Sequence, residues 1–336
     1  MTRVLQCNEI ADTGVKVTSL GLGSATLAGI FSSVPTQQAR ATVDTGYDLG
    51  MRYFDTAPQY GFGRAERIVG DQVRGKEYVL SSKVGRLLVP GASDSQQWVD
   101  PLPFTVQYDY SYDGILRSFE ASLHRLGLDR IDILYMHDIG NTTHGHEDGP
   151  RQFRIAMSEG YKAMDVLRSE GRIKAIGLGV NETQVCMDVL DHGDWDAFLL
   201  AGRYTLLEQS PLDDLFPKCA AHGTDIVIGG PFNSGILVGG STFDYKNAPT
   251  DVVDRARRLA TLCQDHGVEL PAAALQFCDA HPGVKSTIPG PRSPEEAQQI
   301  HNWWLTDIPD VFWSDLNSSG FIHADAPFPV STANDG

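Results

Sequence analysis

Four residues of this 336-residue chain have the types needed to move a proton at neutral pH: Asp55, Tyr60, Lys83 and His137. A free tyrosine titrates near pH 10 and is a poor acid or base on its own. An ammonium a few ångströms away favours the phenolate, so Lys83 beside Tyr60 is expected to pull its pKa towards working pH. Asp55 would pair with Lys83 and hold it, while His137 would hydrogen-bond a substrate oxygen and orient it. The group lacks a strong nucleophile and needs no metal. It suits carbonyl reduction or alcohol oxidation, with a cofactor carrying the hydride.

The elements that must position these residues follow from the apolar pattern. Asp55 ends the short run Arg52–Ala57, Lys83 lies near the end of Tyr78–Val84, and His137 closes Ile131–His137. Tyr60 sits in the break after Asp55, followed by Gly61-Phe62-Gly63 and a helix from Arg64 to Arg74. The same alternation runs through the chain. Further strands are predicted over Val17–Gly23, Ile173–Val180, Ala197–Tyr204, Asp225–Gly229 and Lys285–Ile288. Helices are predicted over Pro35–Leu49, Tyr112–Leu126, Phe153–Ser169, Thr183–Leu190, Leu212–His222, Val252–His266, Pro271–Ala280 and Pro294–Trp304, with a short one at Pro309–Asn317. Gly50 should close the first helix. Residues 3–19, turning at Asp12-Thr13-Gly14, read as a hairpin. Gly85–Tyr108 and Asp138–Pro150 read as long loops.

Strands alternating with helices imply a parallel sheet. Eight such units without a GxGxxG opening favour an α/β fold of the closed (β/α)8 TIM-barrel type over a doubly wound sheet. The expected organisation is one domain over residues 1–336: the hairpin, a barrel over about 17–304 and a C-terminal helical extension over 305–336. In such a barrel the reacting residues stand at the C-terminal ends of the strands. Asp55, Lys83 and His137 would end strands two, three and four, close enough to converge.

Bulk properties exclude several roles. The net charge of −16 argues against nucleic acid and anionic membrane surfaces as partners, since both need a basic face. Five cysteines with no CxxC pair form neither a disulfide framework nor a zinc site, and fit a reducing compartment. The first residues, MTRVLQCNEIADTG, have no apolar core of a signal peptide, so a cytoplasmic location is expected.

The stretch DTAPQYGFGRAE, residues 55–66, resembles the DTAxxYGxGxAE signature of the aldo-keto reductases. The resemblance spans nearly the whole chain and implies that Asp55, Tyr60, Lys83 and His137 are the catalytic tetrad. LAGRYTLLEQ (200–209), PFNSGIL (231–237), IPGPRSPEEAQQ (288–299) and PDVFWSDLNSSGFI (309–322) resemble one branch more closely. It contains the bacterial D-threo-aldose (L-fucose) dehydrogenases, L-galactose dehydrogenases and a pyridoxal 4-dehydrogenase.

The resemblance also implies an extended nicotinamide dinucleotide across the barrel mouth. Asn181 would hold the carboxamide and Tyr204 would stack on the nicotinamide. Ser24, Phe232, Ser234, Gly235 and Leu237 would follow the middle of the cofactor, and Gly290 and Arg292 would meet its adenosine end. Val180 and Ala201 replace polar residues common in the family, which points to rearranged carboxamide contacts, with Arg203 as a substitute. NADP-preferring relatives carry a lysine at the position of Gly290 and an arginine near Glu296. Here Glu295 and Glu296 would repel a 2′-phosphate, so NAD is the expected cofactor, with NADP possible. Ser293 and Glu296 also form the SPEE pattern of a helix-capping box, with Pro294 at its first turn.

The implied reaction is oxidation of a cyclic hemiacetal to a lactone, on an aldose or on pyridoxal. Trp98, Phe104 and Tyr108, from the first long loop, would wall the substrate pocket. Competing readings are an NADPH-dependent aldehyde or ketone reductase, a cofactor-sensing barrel without turnover, and a metal hydrolase built on His137, Asp138, His144 and His146. Apart from a small-molecule substrate, no partner is implied, and the oligomeric state is open.

Overall fold

The computed structural model describes residues 3–93 and 97–329; residues 330–336 of the expected extension lie outside it. Eight parallel strands form the central sheet: β3 (Leu22–Gly23), β4 (Tyr53–Asp55), β5 (Val79–Val84), β8 (Ile133–His137), β9 (Ala175–Val180), β10 (Ala197–Ala201), β11 (Asp225–Gly229) and β14 (Val284–Ile288), adjacent in that order. The sheet closes on itself. Leu20 bridges Thr287 in parallel, Gly21 N donates to Thr287 O at 3.0 Å, and Gly23 N donates to Pro289 O at 2.9 Å. The expected (β/α)8 barrel is therefore present.

Strand periodicity sorts the side chains into two shells. Phe54, Leu80, Leu134, Met136, Ile176, Leu178, Phe198, Leu200, Ile226 and Ile228 point outwards and pack in the large core shared with the helices. Alternate residues point inwards. Tyr53, Ile133, Tyr135, Ala175, Ala197, Leu199, Val227 and Ile288 fill the barrel together with Ile10, Val15 and Val17. Those last three come from the hairpin β1 (Cys7–Ile10) and β2 (Val15–Thr18), which plugs the N-terminal end. Above this apolar layer Tyr53 Oη meets Ser81 Oγ at 3.0 Å and Tyr135 Oη at 3.2 Å. Two residues further along three of the strands, at the same parity, stand Asp55, Lys83 and His137.

The helices α1 (Thr36–Asp48), α2 (Arg64–Val73), α3 (Tyr112–Leu126), α4 (Asn141–Ile155), α5 (Tyr161–Ser169), α6 (Thr183–Val189), α7 (Leu215–His222), α8 (Thr250–Asp265), α9 (Leu270–Asp279), α10 (Pro294–Leu305) and α11 (Asp310–Ser318) surround the sheet. No helix among the described residues is long and apolar enough to cross a membrane.

Two expected loops are partly structured. Gly85–Tyr108 carries an antiparallel hairpin, β6 (Arg86–Pro90) against β7 (Phe104–Tyr108), with Arg86 opposite Tyr108. Asp138–Pro150 turns helical at Asn141 and kinks at Gly145, where φ is 70°. It then runs through a π-type turn, Ala156–Gly160, into α5. Its polar residues give no apolar periodicity. The support comes from elsewhere: Glu182 Oε1, from the loop after β9, accepts the Thr142 amide at 3.0 Å, placing a carboxylate at the start of the helix. After β11 a 3-10 segment (Asn233–Val238) leads to a small ribbon, β12 (Thr242–Phe243) against β13 (Lys246–Asn247).

Candidate active site

At the C-terminal end of the barrel, Asp55 and Lys83 form a buried bidentate pair. Lys83 Nζ lies 2.9 Å from Oδ1 and 2.7 Å from Oδ2 of Asp55, and 3.0 Å from the carbonyl of Thr56. Ser81 Oγ donates to Asp55 Oδ1 at 2.6 Å. The stem of Lys83 crosses beside Gly179 on β9, where a Cβ would come within 3.0 Å of Lys83 Cε. Burial alone pushes the Asp55 carboxyl up and the Lys83 amine down, and each partner opposes the shift of the other.

Tyr60 reaches the pair from the turn after β4. Gly61, Phe62 and Gly63 all have left-handed φ values of 60°, 53° and 93°. A Cβ at Gly61 would meet Ala28 O at 2.8 Å, so both conformation and space require glycine there. The turn brings the Tyr60 ring centroid within 4.7 Å of Lys83 Nζ, 6.2 Å of the His137 ring and 5.8 Å of the Trp98 ring. The last residue of the motif, Glu66, is fully buried on α2; it accepts from Ser82 Oγ at 2.9 Å and pairs with Arg125. It ties α2 to β5 and α3 behind the site.

The electrostatics differ from expectation at Tyr60. Its pKa is raised well above 10, first by burial and then by the Asp55 charge. Burial and the Asp55 charge outweigh the lowering expected from Lys83. His137 is buried and held neutral, its pKa far below the usual value through burial and the nearby Arg86 and Lys83 charges. A neutral imidazole keeps one donor and one acceptor nitrogen, and His137 Nδ1 is without a protein partner.

A cavity of about 670 Å³ opens beside Asp55 and Tyr60. Of the residues expected to hold the cofactor, Ser24, Phe232, Ser234, Gly235, Gly290 and Arg292 line it. Tyr204 does not belong there. The chain turns at Gly202 (φ 69°), and Tyr204 is thrown back between the helices, fully buried against Phe216 and Phe277 at 4.9 and 5.1 Å. Tyr245, on the ribbon turn, does reach the cavity, as do Phe31, Tyr60, Phe232 and Trp303. Leu237 is likewise fully buried in the core. Asn181 stands just beyond β9, with its amide donating to Tyr245 Oη at 3.1 Å. Arg203, expected as a substitute for the missing polar residues, pairs with Asp244 and is not among the residues lining the cavity, and its Nε has no protein partner.

Polar groups left without protein partners test whether a dinucleotide suits this cavity. Ser24 Oγ is fully buried and unpartnered, as is Arg292 Nε towards the adenosine end. Between them the backbone takes left-handed values at Asn233, Ser234 and Gly235, with φ 46°, 60° and 112°, and Gly235 has no side chain to obstruct close approach. Donors at both ends and an open backbone in the middle fit a long polar ligand. The adenosine end is capped by acid. Ser293 Oγ accepts from Glu296 N at 3.2 Å, and Glu296 Oε2 accepts from Arg292 N at 2.7 Å. This is the expected box, displaced by one residue on the carboxylate side.

Sequence reading missed Arg86 and Asp138 as a unit. Arg86 is buried and pairs with Asp138, whose Oδ2 is 3.4 Å from His137 Nε2. The only signal was the basic residue directly after Gly85 and the His-Asp dipeptide. Trp98, Phe104 and Tyr108, expected to wall the pocket, are not among the residues that line this cavity: Trp98 packs on Tyr60, with Phe104 in the same apolar cluster, and Tyr108 lies over His144 at 4.7 Å and over Arg86 at 5.4 Å. His144 also meets Tyr110 Oη at 3.0 Å. Among the described residues no three His, Cys, Asp or Glu side chains are arranged to hold a metal ion. A second cavity, about 770 Å³, lies under the hairpin at the other barrel end, far from the tetrad; its Asp225 and Lys285 pair with each other at 3.4 Å.

Comparison with known proteins agrees with this fold. The chain is 43% identical over 328 residues to the pyridoxal 4-dehydrogenase of Microbacterium luteolum, covering 92% of this chain and 96% of that protein. It is 34% identical over 327 residues to a D-threo-aldose 1-dehydrogenase of a Pseudomonas species, covering 93% and 97%. In fold it matches an aldo-keto reductase of Bacillus halodurans in its holo form, with a TM-score of 0.73, 22% identity and coverage of 96% and 98%. Residues 19–320 match the aldo/keto reductase family, and with the barrel and its buried Asp55–Lys83 pair in place, the chain belongs to that family.

Proposed function

We propose that this oxidoreductase oxidises a cyclic hemiacetal to a lactone, with a nicotinamide cofactor and with Tyr60, Lys83, Asp55 and His137 as its catalytic residues. The observation that carries the reading is the placement of Tyr60 against Lys83 and His137 at the edge of a cavity lined by Ser24, Gly235, Gly290 and Arg292. A nicotinamide bound in that cavity supplies the hydride acceptor.

The chain's own residues handle the oxygen and its proton. His137, neutral, hydrogen-bonds the hydroxyl of the hemiacetal carbon and fixes its direction. Tyr60, in its phenolate form, takes the hydroxyl proton as the carbon gives up its hydride, and the C–O bond becomes the lactone carbonyl. Lys83 keeps positive charge beneath the phenol as negative charge develops there, and Asp55 keeps Lys83 charged and in place. Trp98, packed on Tyr60, helps to exclude water from the transfer.

Two substrate sources share this chemistry, an aldose oxidised at C1 and the hemiacetal form of pyridoxal, which would give 4-pyridoxolactone. The relatives named above support both. NAD is the proposed cofactor: Gly290 offers no cation, and the negative charges of Glu295 and Glu296 would repel a 2′-phosphate at the Arg292 end of the cavity. The test is an assay of NAD+ and NADP+ reduction with L-fucose, L-galactose, D-arabinose and pyridoxal. We expect turnover of at least one, at a higher kcat/KM with NAD+. Failure of every hemiacetal, alongside NADPH-dependent reduction of simple aldehydes, would reverse the assigned direction.

A further inference from the structure

Proton transfer leaves one charged part of the site unused. Arg86, at the start of β6, and Asp138, directly after His137, form an ion pair across a sequence gap that only the fold closes. The pair is held from several sides. Asp138 has φ 47°, a left-handed value that aspartate tolerates better than most residues. Its amide donates to Gly179 O at 3.1 Å, and its carbonyl accepts from Tyr110 Oη at 3.2 Å. The Tyr108 ring covers the guanidinium at 5.4 Å.

Hydrogen-bonding capacity is left over. Arg86 is only 7% exposed, yet its Nε has no protein partner, and neither does His137 Nδ1. Buried donors are rarely left unmade without a ligand or water to meet them. Both charges also act on the Tyr60 hydroxyl, so the pair borders the point where the substrate oxygen must lie.

We infer that the Arg86–Asp138 pair is a specificity element that recognises a second substrate oxygen, lying one hydrogen-bond length from the reacting oxygen. Arg86 donates to that oxygen, and Asp138 accepts from it when it carries a proton. The 3.4 Å between His137 Nε2 and Asp138 Oδ2 matches this requirement. Groups holding two oxygens about a hydrogen-bond length apart must themselves be neighbours. An aldose meets the demand with the hydroxyl on C2. Pyridoxal meets it with the phenolic oxygen beside its aldehyde-bearing carbon. The inference rests on the hemiacetal reading for its natural substrate, but not for its test.

The test uses matched substrates with and without the second oxygen. L-fucose and 2-deoxy-L-fucose are oxidised with NAD+; salicylaldehyde and benzaldehyde are reduced with NADH. The wild type should prefer the oxygen-bearing member of each pair by about a hundredfold or more in kcat/KM, as a site built to hydrogen-bond a hydroxyl does. Arg86→Met should cost the oxygen-bearing members about a hundredfold more in kcat/KM than the members lacking that oxygen, collapsing the preference whatever general loss both share. Asp138→Asn, nearly isosteric and tolerant of the left-handed backbone, should weaken the preference in both pairs, since the C2 hydroxyl of L-fucose and the phenol of salicylaldehyde each carry a proton for Asp138 to accept; the two pairs, measured separately, distinguish the two sources.

Equal losses on both members of a pair would make the ion pair merely structural and overturn the inference, as would a wild-type preference near one. If the aldehydes are reduced with the expected preference but no hemiacetal is oxidised, the hemiacetal reading falls and this one stands. Inactivity on all four overturns this inference, and the hemiacetal reading is then decided by the wider panel with L-galactose, D-arabinose and pyridoxal.

Discussion

Lys83 Nζ and the Asp55 carboxylate meet at 2.7 and 2.9 Å within a barrel where neither residue is more than 2% exposed. Such a pair costs several kcal/mol of desolvation for each ion, and only good geometry and extra hydrogen bonds repay it. Both are present here, through Ser81 and the Thr56 carbonyl. Removing one partner strands the other. Asp55→Asn or Lys83→Met should each lose about 3–5 kcal/mol of stability and at least about a hundredfold in kcat. The double variant should recover part of the stability and none of the activity. Denaturant midpoints with steady-state rates provide the check; a double variant as unstable as the sum of the singles would mean the pair is not coupled.

Burial holds Tyr60 protonated well above its ordinary range, which gives the two reaction directions different pH profiles. In reduction the phenol is the acid and is present throughout neutral pH, so kcat should be flat from about pH 6 to 8. In oxidation the phenolate is needed, and its share grows about tenfold per pH unit below the pKa. Oxidative kcat should therefore climb with pH across the same range, with slope near one while proton transfer limits the rate. His137, held neutral, should add no inflection there. Tyr60→Phe should lose about 10²–10⁴-fold in both directions with the melting temperature little changed. A flat oxidative profile would show that another group takes the proton.

Gly179 makes room for the Lys83 stem. Gly179→Ala puts a methyl group 3.0 Å from Lys83 Cε, tighter than ordinary contact, and the lysine must shift. Misplacement on the ångström scale costs up to about a hundredfold in rate. The expected result is a fall in kcat of about tenfold to a hundredfold, with KM and cofactor affinity close to wild type. Unchanged kcat would mean that the ammonium position tolerates more slack than the bidentate geometry suggests.

The acidic cap at α10 should govern the choice of cofactor. Glu296 accepts the Arg292 amide and leaves the Arg292 Nε without a partner. Glu296→Lys removes one negative charge and adds a positive one near the expected 2′ position, and should raise the NADP+/NAD+ ratio of kcat/KM by about tenfold or more. Loss of the cap should cost about 1 kcal/mol of stability. Kinetics with both cofactors decide it, and an unmoved ratio would remove charge as the determinant.

The tetrad was legible because three of its members obey a simple rule: they end strands, at the parity that points inwards, in a barrel whose strands are neighbours in sequence order. Tyr60 followed from the glycines that bend the chain back. What stayed hidden depends on contacts between distant segments. Arg86 and Asp138 are separated by a helix and two strands, and nothing local marks them as partners. Tyr204 and Tyr245 are both tyrosines in loops beyond strands; only the turn at Gly202 decides that the first faces the helices and leaves the cavity to the second. The Tyr60 pKa was misjudged because Lys83 was considered without the burial and the Asp55 charge that outweigh it. The helix at Asn141 was unreadable because its start is completed by Glu182, from the loop beyond β9.

The barrel is closed by a thin seam. β3 spans two residues, and its link to β14 consists of the Leu20–Thr287 bridge with the amides of Gly21, Gly23 and Thr287. Immediately beyond the seam, one side contributes Ser24 to the cavity and the other contributes Gly290 and Arg292. An early and a late part of the chain are thus joined by few backbone bonds at the place where a long ligand would lie across both. Such a ligand acts as a clasp, so hydrogen exchange at these three amides becomes a reporter of occupancy that needs no turnover, readable even in a variant lacking the Tyr60 hydroxyl.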